Sequence, residues 1–452
     1  MKSINPATNL PIREYREHTP EEVQAIIIEV HKEWLRWKET SFEERSKLFR
    51  NLAHLLRENS DRYARLITSE MGKIIRESSG EIEKCAKVCE FYADNAQEFL
   101  KDQVLLTDAR KSMVVFQPLG VVLAVMPWNF PFWQVFRFAA PSLMAGNAAL
   151  LKHASNVPGC AVAIEKLFLE AGFPVNLFRS LLIPSSGVEA VIANPLVKAV
   201  TLTGSESAGS QVASQAGKYI KKSVLELGGS DAFIVLEDAD MEKTVATAVQ
   251  ARLINQGQSC IAAKRFIVVE SRIKEFEERI TEAFNKLKPG DPQDVLTDVG
   301  PMAREDLLND IASQVRRSID MGARLLTGGK KMDRPGWYYE PTVLTDIRQE
   351  MPVFTEETFG PVASIISVKD IKEAIAVANN SIFGLGGSVW TEDITRGEVI
   401  ARRVNTGAMF VNGLTKSDPR LPFGGINRSG YGRELADFGI REFVNIKTIW
   451  IG

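Results

Sequence analysis

The apolar residues of the first hundred positions recur with the period of an α-helix. Thr19 precedes Pro20 and two glutamates, which is a helix-start pattern, and the apolar residues that follow are spaced three or four positions apart. Ser41 begins the same pattern before a run of leucines, and Gly72 indicates a helix end. We therefore predict that the first hundred residues are mostly helical.

Beyond Met113 the chain changes to short apolar runs that alternate with helix-period segments. Two strands are predicted on either side of a turn at 118–120. The pattern then predicts strands at 121–126, 148–152, 177–183 and 197–202, separated by helices at 131–145, 158–171, 187–193 and 206–217. This alternation is typical of a doubly wound parallel sheet, which binds its ligand at the carboxyl ends of the strands.

A second α/β unit is predicted after Gly228 and Gly229. Its strands are expected at 232–236, 265–269, 362–368, 384–390 and 408–411, with helices that include 241–254 and 272–286. Two strand-like segments, 108–120 and 431–452, lie outside both units, and Phe443 to Ile451 alternates apolar with polar residues. The predicted fold class is therefore α/β, with two doubly wound units and a small β ribbon.

Length and charge restrict the classes of partner. The 452 residues suggest two to four domains of roughly 100–200 residues each, with enough apolar content to form large cores without disulfides. The formal net charge of −2 gives no field of one sign that would attract nucleic acid or an anionic membrane. The N-terminus lacks an apolar signal segment, and no stretch reaches the about 18 apolar residues of a membrane span. We expect a cytoplasmic protein with a small-molecule partner, no nucleic acid and no membrane.

The cysteines and histidines form no metal-binding pattern, so no metal site is predicted. None of the four cysteines occurs in a CxxC spacing, and only four histidines are present, the eight residues being Cys85, Cys89, Cys160, Cys260, His18, His31, His54 and His153. Cys85 and Cys89 lie one turn apart on a predicted amphipathic helix, which is an ordinary position for core cysteines.

Cys260 stands in a sequence that suits a nucleophile. It ends the segment NQGQSC, in which Gly257 permits a close approach of the backbone to a ligand, and its own amide N–H is expected to be free for a developing oxyanion. Because a free thiol has a pKa of about 8.5, it needs an activating environment or a base, and Glu226 in the segment LELGG is the candidate. The alternative for an isolated cysteine is an inert core position.

These two segments, together with VMPWNFP at 125–131 and EETFGP at 356–361, resemble the aldehyde dehydrogenase superfamily and occur in that family's order. The resemblance spans essentially the whole chain and implies the aldehyde dehydrogenase fold. It divides the chain into three parts. The NAD(P)-binding domain comprises 1–107, 121–227 and 413–430, and the catalytic domain comprises 228–412. The oligomerisation strands are 108–120 and 431–452. The resemblance further implies a homodimer or homotetramer.

The resemblance gives roles to three residues of the predicted catalytic site. Cys260 would attack an aldehyde and form first a thiohemiacetal and then a thioester, and Glu226 would activate the water that hydrolyses the thioester. Asn129 matches the side-chain amide that donates to the oxyanion. A turn role for Asn129 and a solvated strand-end charge for Glu226 are the alternatives from the residues alone.

The resemblance also implies a nicotinamide dinucleotide, held by Trp128, Lys152, Ser155, Gly204, Ser205, Leu227, Glu357 and Phe359. Gly204 and Ser205 would bring a helix N-terminus to the pyrophosphate. Ser155 stands where many NAD-preferring members have a glutamate that repels a 2′-phosphate, and Lys152 adds a positive charge nearby. NADP is therefore the expected cofactor, and NAD remains plausible.

Arg137 is the candidate residue for substrate specificity. It lies eight residues after Asn129, about two helical turns along, so both side chains are expected on nearly the same face. Succinate-semialdehyde dehydrogenases carry arginine at this position, where a guanidinium can bind a carboxylate through two hydrogen bonds. Ser417 is a candidate second contact. The expected reaction is oxidation of succinate semialdehyde to succinate, and the alternative for Arg137 is a surface position on an amphipathic helix.

Three other functions are kept as alternatives. The chain could oxidise another short aliphatic aldehyde or semialdehyde. It could also be a CoA-acylating semialdehyde dehydrogenase, against which Glu226 argues, because that residue implies that water takes the acyl group. A catalytically silent binding protein with the same architecture is the third, and the joint presence of Cys260, Glu226, Asn129 and Glu357 argues against it.

Overall fold

A computed structural model describes residues 1–452. Its helices are α1 (Pro20–Trp37), α2 (Phe42–Glu58), α3 (Ser60–Met71), α4 (Ile75–Phe99), α5 (Trp133–Met144), α6 (Pro158–Glu170), α7 (Val188–Ala193), α8 (Glu206–Lys218), α9 (Met241–Leu253), α10 (Ile273–Asn285), α11 (Glu305–Asp320), α12 (Pro352–Thr355), α13 (Ile371–Asn379), α14 (Ile394–Ala401) and α15 (Ala436–Arg441). None of them combines the length and apolar character needed to cross a membrane.

The strands form four sheets. They are β1 (Lys2–Ile4), β2 (Pro11–Glu14), β3 (Gln103–Leu105), β4 (Lys111–Pro118), β5 (Val121–Met126), β6 (Ala148–His153), β7 (Phe178–Ser180), β8 (Val197–Thr203), β9 (Lys222–Glu226), β10 (Asp231–Val235), β11 (Ala263–Val269), β12 (Arg324–Thr327), β13 (Thr342–Thr345), β14 (Val362–Val368), β15 (Gly387–Trp390), β16 (Phe410–Val411), β17 (Gly430–Tyr431) and β18 (Val444–Ile451). The short pair β1–β2 forms a sheet of its own, which the sequence pattern did not predict.

The first large sheet has the order β17-β9-β8-β5-β6-β7, and all its pairings are parallel except that of β17 with β9. The chain runs outward from β5 to β6 and β7, then crosses back to β8 and β9 on the other side. The topological switch point therefore lies between β5 and β8, whose carboxyl ends are Met126 and Thr203. In open α/β sheets this is where ligands bind.

The second large sheet has the order β12-β13-β14-β11-β10-β15-β16 and is parallel except for the edge pair β12–β13. Separate apolar clusters cover its two faces, and one larger cluster packs α1–α6 around the first sheet. Two helix-covered, mostly parallel sheets confirm the predicted α/β class.

A three-stranded antiparallel sheet has the order β18-β4-β3, with β18 paired along the full length of β4 from Val444 opposite Pro118 to Ile451 opposite Lys111. The predicted segment 108–120 contributes β4, and the sheet begins earlier than predicted, at β3. The prediction that 431–452 is strand-like throughout is wrong in its first part, because Tyr431 pairs with β9 of the first large sheet and residues 436–441 form α15, so that only β18 lies in this sheet. On β18, Ile446 and Trp450 are 62% and 57% exposed. Large apolar side chains on the surface of a strand are typical of an association surface.

Most predicted elements agree with the structure, and the exceptions have local causes. The capping boxes of Thr19 and Ser41 are both formed, and Gly72 ends α3 in the left-handed conformation with φ of 80°. The strand expected to begin at Gly384 begins only at Gly387, because the Gly386 N–H donates to the Asp231 carboxylate (3.0 Å) instead of to a neighbouring strand. The strand predicted at 177–183 is limited to three residues at the edge of its sheet.

Candidate active site

A cleft that encloses about 370 Å³ opens at the switch point of the first sheet and reaches residues of the second unit. Among the residues predicted for the site, it is lined by Trp128, Asn129, Lys152, Gly204, Ser205, Leu227, Cys260, Glu357 and Phe359. The structure thus brings together residues that are up to 231 positions apart, Trp128 and Phe359 being in edge contact with ring centroids 5.8 Å apart. Glu226, Arg137, Ser155 and Ser417 do not line this cleft.

The loop that carries Cys260 has an unusual backbone. Asn255, Gln256 and Gly257 are three consecutive residues in the left-handed region, with φ of 52°, 55° and 77°. A side chain on Gly257 would collide with the Gly360 carbonyl oxygen, which explains why a glycine is needed there. We call residues 255–260 the Cys260 loop.

Hydrogen bonds from two asparagines hold the Cys260 loop. Asn129 Nδ2 donates to the Gln258 carbonyl oxygen at 3.1 Å, and Asn255 Nδ2 donates to the same oxygen at 3.1 Å and to the Asn129 carbonyl oxygen at 2.8 Å. The Cys260 backbone N–H donates to no protein acceptor. The loop therefore places an amide side chain and a free backbone donor beside the thiol, and Asn255 is a positioning residue that the sequence analysis missed.

Lys264 fastens the other side of the nucleophile segment. This fully buried side chain donates to the carbonyl oxygens of Ser259, Cys260 and Ala262 at 3.0, 2.8 and 3.2 Å, and it lies 3.6 Å from a Glu357 carboxylate oxygen. It was not predicted. The sequence did contain a signal for it, because a lysine follows the cysteine by four residues at the start of an apolar strand. A charge buried there without a partner would be costly, so a partner nearby could have been expected.

The thiol of Cys260 is half-buried, whereas Cys85, Cys89 and Cys160 are buried completely. Burial raises the pKa of the Cys260 thiol to about 12, against the opposing effects of the positive charges of Arg137 and Lys264. A resting thiol is therefore mostly protonated near neutral pH, and it needs a proton acceptor to become a nucleophile.

Glu226 ends β9 with its side chain 2% exposed, so the alternative of a solvated charge is wrong. Neither carboxylate oxygen has a hydrogen-bond partner in the protein. Burial raises the pKa of Glu226 well above its usual range, Arg137 opposes the shift, and Glu434 adds to it. Gly424 leaves the room for this carboxyl, since a Cβ at that position would lie 2.6 Å from Glu226 Oε1.

Arg137 is 1% exposed, which excludes the surface position considered as an alternative. Its guanidinium forms an ion pair with the buried carboxylate of Glu434, donates to Thr203 Oγ1 at 3.3 Å and lies over the Phe423 ring at 4.7 Å. The segment from Phe423 to Glu434 was interpreted as structural turns only. That interpretation was incomplete, because Glu434 supplies the counter-ion of Arg137. Binding of a substrate carboxylate by Arg137 stays a prediction.

Ser417 lies away from the cleft, 5% exposed, and its Oγ accepts a hydrogen bond from Lys84 Nζ at 2.6 Å. Lys84 is on α4 and was not predicted. No pattern around it distinguished it from the other lysines of an amphipathic helix, because its partner is 333 residues away.

The residues at the switch point fit a dinucleotide. Ser205 caps α8, its Oγ accepting from the Ala208 N–H at 3.3 Å, and Gly204 lines the cleft beside this helix start. Gly209 permits contact between α8 and Leu227, with which a Cβ would collide. Lys152, at the end of β6, is buried in the wall, and burial lowers the pKa of its ammonium group.

Two further residues line this cleft, Glu357 and Arg304, and Ser155 lies outside it. Glu357 accepts a hydrogen bond from the Gly229 N–H at 2.9 Å, and burial raises the pKa of its carboxyl group, against which the nearby Lys264 acts. Ser155 is exposed, two residues beyond the end of β6. Arg304 lines the cleft and lies over the Trp128 ring at 5.7 Å, a second positive charge that the sequence analysis missed. Two basic side chains and a helix start give the cleft the donors that a phosphorylated nucleotide needs.

Comparison with known proteins shows the family to which the chain belongs. The model of the aldehyde dehydrogenase family matches residues 1–449. The chain is 52% identical over 449 residues to a probable succinate-semialdehyde dehydrogenase [NADP(+)] of Synechocystis, and 48% identical over 452 residues to succinate-semialdehyde dehydrogenase [NADP(+)] 1 of Mycobacterium tuberculosis, with 99% of both chains covered in each case.

Among solved structures, the chain superposes with a TM-score of 0.98 on succinic semialdehyde dehydrogenase from Streptococcus pyogenes in complex with NADP+, at 39% identity over 100% of this chain and 99% of that one. The chain belongs to the aldehyde dehydrogenase family. Its predicted fold and its prediction as an aldehyde-oxidising enzyme are thereby confirmed.

Proposed function

We propose that this chain oxidises succinate semialdehyde to succinate with NADP+ as the hydride acceptor. The observation that carries the proposal is that Cys260 and all the predicted cofactor residues except Ser155 line one cleft. The full-length similarity to NADP-dependent succinate-semialdehyde dehydrogenases supports the choice of aldehyde and cofactor.

The Cys260 thiol gives its proton to Glu226, which releases it to water before the hydrolysis step. Cys260 Sγ then forms a bond to the aldehyde carbon, and the carbonyl electrons move onto the oxygen. The Asn129 side-chain amide and the free Cys260 N–H donate to that oxygen, and removal of one such donor typically costs about 10²–10³ in rate. Because Lys264 and Asn255 hold the loop, these donors are in place before the substrate arrives. A bound nicotinamide supplies the hydride acceptor that converts the adduct on Cys260 into a thioester.

Glu226 then accepts a proton from water while the water oxygen attacks the thioester carbon and the bond from carbon to Sγ breaks. The lack of hydrogen-bond partners and the raised pKa of Glu226 suit a base that must hold the proton it takes. Water as acyl acceptor makes the product a free carboxylic acid.

The cofactor preference is proposed from the adenosine end of the cleft. Lys152 brings positive charge, and Ser155 brings no carboxylate that would repel a 2′-phosphate. We assign residues 1–107, 121–227 and 413–430 to the cofactor-binding domain and 228–412 to the catalytic domain. Support comes from β17, which returns from residue 430 to pair with β9 in the first sheet.

We further propose that the protein is a cytoplasmic homodimer or homotetramer that associates through residues 108–120 and 431–452. The exposed apolar side chains of Ile446 and Trp450 on β18 support this surface. Light scattering on the purified protein measures the oligomer, and replacing both residues by lysine should lower the mass if this surface is the interface.

The substrate proposal is tested by measuring kcat/KM of the purified enzyme for a panel of aldehydes with each cofactor. Succinate semialdehyde with NADP+ should give the largest value, with butyraldehyde as the uncharged comparison of equal chain length. A panel in which butyraldehyde is preferred would contradict the proposed substrate and leave the aldehyde dehydrogenase assignment intact.

A further inference from the structure

A second cavity, which encloses about 260 Å³, adjoins the Cys260 loop. Phe130, which follows Asn129 in the chain, and Ile254, which precedes Asn255, are both part of its wall. The residues that position the nucleophile are therefore immediate neighbours of this cavity. Its remaining wall comes mainly from α4 and the start of α5 and includes Lys84 and Trp133.

Lys84 enters this cavity as a cation without a counter-ion. Its Nζ donates to Ser417 Oγ at 2.6 Å and lies 4.0 Å from the centroid of the Trp133 ring, and it makes no ion pair within 4.0 Å. The nearby Glu81 is already paired with Lys73 and accepts from the N–H groups of Phe132 and Trp133. At least one N–H of Lys84 is thus free for an additional acceptor, since an ammonium group has three.

The electrostatic surroundings also favour an anionic ligand. Burial, together with the positive charge of Arg137, lowers the pKa of Lys84 to about 7, and an anion bound beside the ammonium group would raise it again. The other charged residues in the wall are Glu81, whose charge is compensated by Lys73, and Glu77. The Glu77 carboxyl accepts from the Asn255 N–H at 2.8 Å, and burial raises its pKa to about 7, which reduces the negative charge in the cavity.

Arg137 and Lys84 therefore differ in what they can offer a substrate. The Arg137 charge is compensated by Glu434, whereas the Lys84 charge has no partner in the protein. We propose that Lys84, together with Ser417, binds the carboxylate of the substrate in this cavity and determines the preference for an aldehyde that ends in a carboxylate. The inference rests on the proposed function, and it extends that function by a residue on α4.

The cavity also suits the rest of such a substrate. Phe130 and Trp133 offer aromatic surface to a short methylene chain, and Lys84 stands over the Trp133 ring, where a cation is stabilised even without a ligand. The aldehyde end would then lie toward the Asn129 side of the wall, and the carboxylate at Lys84.

The test compares Lys84→Met with Lys87→Met. Lys87 lies on the same helix but is exposed, with its ammonium 3.7 Å from Glu83, so its variant controls for loss of a lysine from α4. In Lys84→Met, kcat/KM for succinate semialdehyde should fall about 10- to 100-fold, mostly through KM, as expected for loss of a charge-assisted contact made equally to the bound substrate and the transition state.

Butyraldehyde has no carboxylate, so its kcat/KM should change less than about threefold in Lys84→Met, and Lys87→Met should leave both substrates unchanged. Lys84→Arg should keep most of the preference, and Ser417→Ala should reduce it without abolishing it. Ser417→Ala also keeps the inference testable if Lys84→Met does not fold.

The outcomes separate this inference from the proposed function. A wild type that prefers butyraldehyde contradicts both. A wild type that prefers succinate semialdehyde, combined with a Lys84→Met variant of unchanged preference, overturns only the role of Lys84. Equal losses for the two aldehydes also overturn it, because a carboxylate contact cannot affect a substrate without a carboxylate.

Discussion

The nucleophile and its base occupy two regions built in opposite ways. In the Cys260 loop, carbonyl oxygens around the thiol accept hydrogen bonds from Asn129, Asn255 and Lys264. In the Glu226 pocket, formed by Glu226, Gly424, Arg137 and Glu434, both oxygens of the base lack any partner. The Cys260 loop fixes the position of the thiol, whereas the Glu226 pocket leaves the carboxyl group free to change its protonation and to contact water.

This difference indicates what each region contributes to catalysis. A nucleophile must be held at a set distance from the carbon it attacks, so hydrogen bonds that fasten its backbone are useful. A base is useful when its proton affinity suits the proton it takes, and burial without hydrogen bonds raises that affinity. Substitutions in the two regions should therefore fail in different ways.

The largest effect is expected for Cys260→Ala. The variant should lose aldehyde oxidation by at least about 100-fold while binding NADP+ nearly as the wild type does, because it removes the nucleophile and leaves the cleft walls intact. Steady-state assays and cofactor titration by fluorescence measure the two properties. Residual turnover above about one per cent of wild type would contradict covalent catalysis by this residue.

Glu226→Gln should produce a burst of reduced cofactor followed by slow turnover, because the thioester forms but its hydrolysis lacks a base. Stopped-flow absorbance resolves the burst from the steady state. If hydrolysis continues at the wild-type rate, another group activates the water and the proposed role of Glu226 is wrong.

The stability of the same variant relative to wild type should increase as the pH rises, because the wild type loses stability. A carboxyl whose pKa is higher in the folded than in the unfolded state binds more protons when folded, so its contribution to stability is lost as the pH rises above the unfolded value. Glutamine does not titrate. The difference in free energy of unfolding between Glu226→Gln and wild type should therefore increase in favour of the variant from about pH 5 upward, as denaturant titrations at several pH values would measure.

Arg137→Met should destabilise the fold by about 3–5 kcal/mol, because it leaves the buried Glu434 without its counter-ion. The matched double variant Arg137→Met with Glu434→Gln should recover a large part of that loss, since no uncompensated charge remains. Thermal and denaturant unfolding of the two variants give the comparison. If the single and double variants are equally stable, the uncompensated charge of Glu434 is not the cause of the lost stability.

The smallest effect is expected at Ser155, outside both regions. Ser155→Glu should shift the ratio of kcat/KM from NADP+ toward NAD+ because it introduces a carboxylate that repels a 2′-phosphate. Turnover with saturating cofactor should be nearly unchanged. An unaltered ratio would indicate that the 2′-phosphate contacts other residues.

The sequence predicted the parts of this structure that have local signals. The capping boxes at Thr19 and Ser41 and the alternation of strands and helices each depend on residues within a few positions of one another. Cys260 was predicted from its own segment and then from family resemblance. In the structure Asn129 donates to the Gln258 carbonyl oxygen of the Cys260 loop, a contact that no local sequence pattern predicted.

The partners of the site residues could not be predicted, because each comes from a distant part of the chain. Glu434 reaches Arg137 from a segment whose glycines indicated only turns, and Lys84 meets Ser417 across 333 positions. Lys264 was hidden by its position in an apolar strand, where only the folded loop supplies the three carbonyl oxygens that it needs. Burial of a charge is decided by tertiary packing, so its compensation is visible only in the structure.

The unequal accessibility of the four cysteines allows the active sites of a preparation to be counted by thiol titration. Because Cys85, Cys89 and Cys160 are sealed in the core, a mild alkylating reagent applied to the folded chain should consume one equivalent per subunit, against four after denaturation. The difference between the two titrations would report the fraction of a preparation that is correctly folded, without any substrate being present.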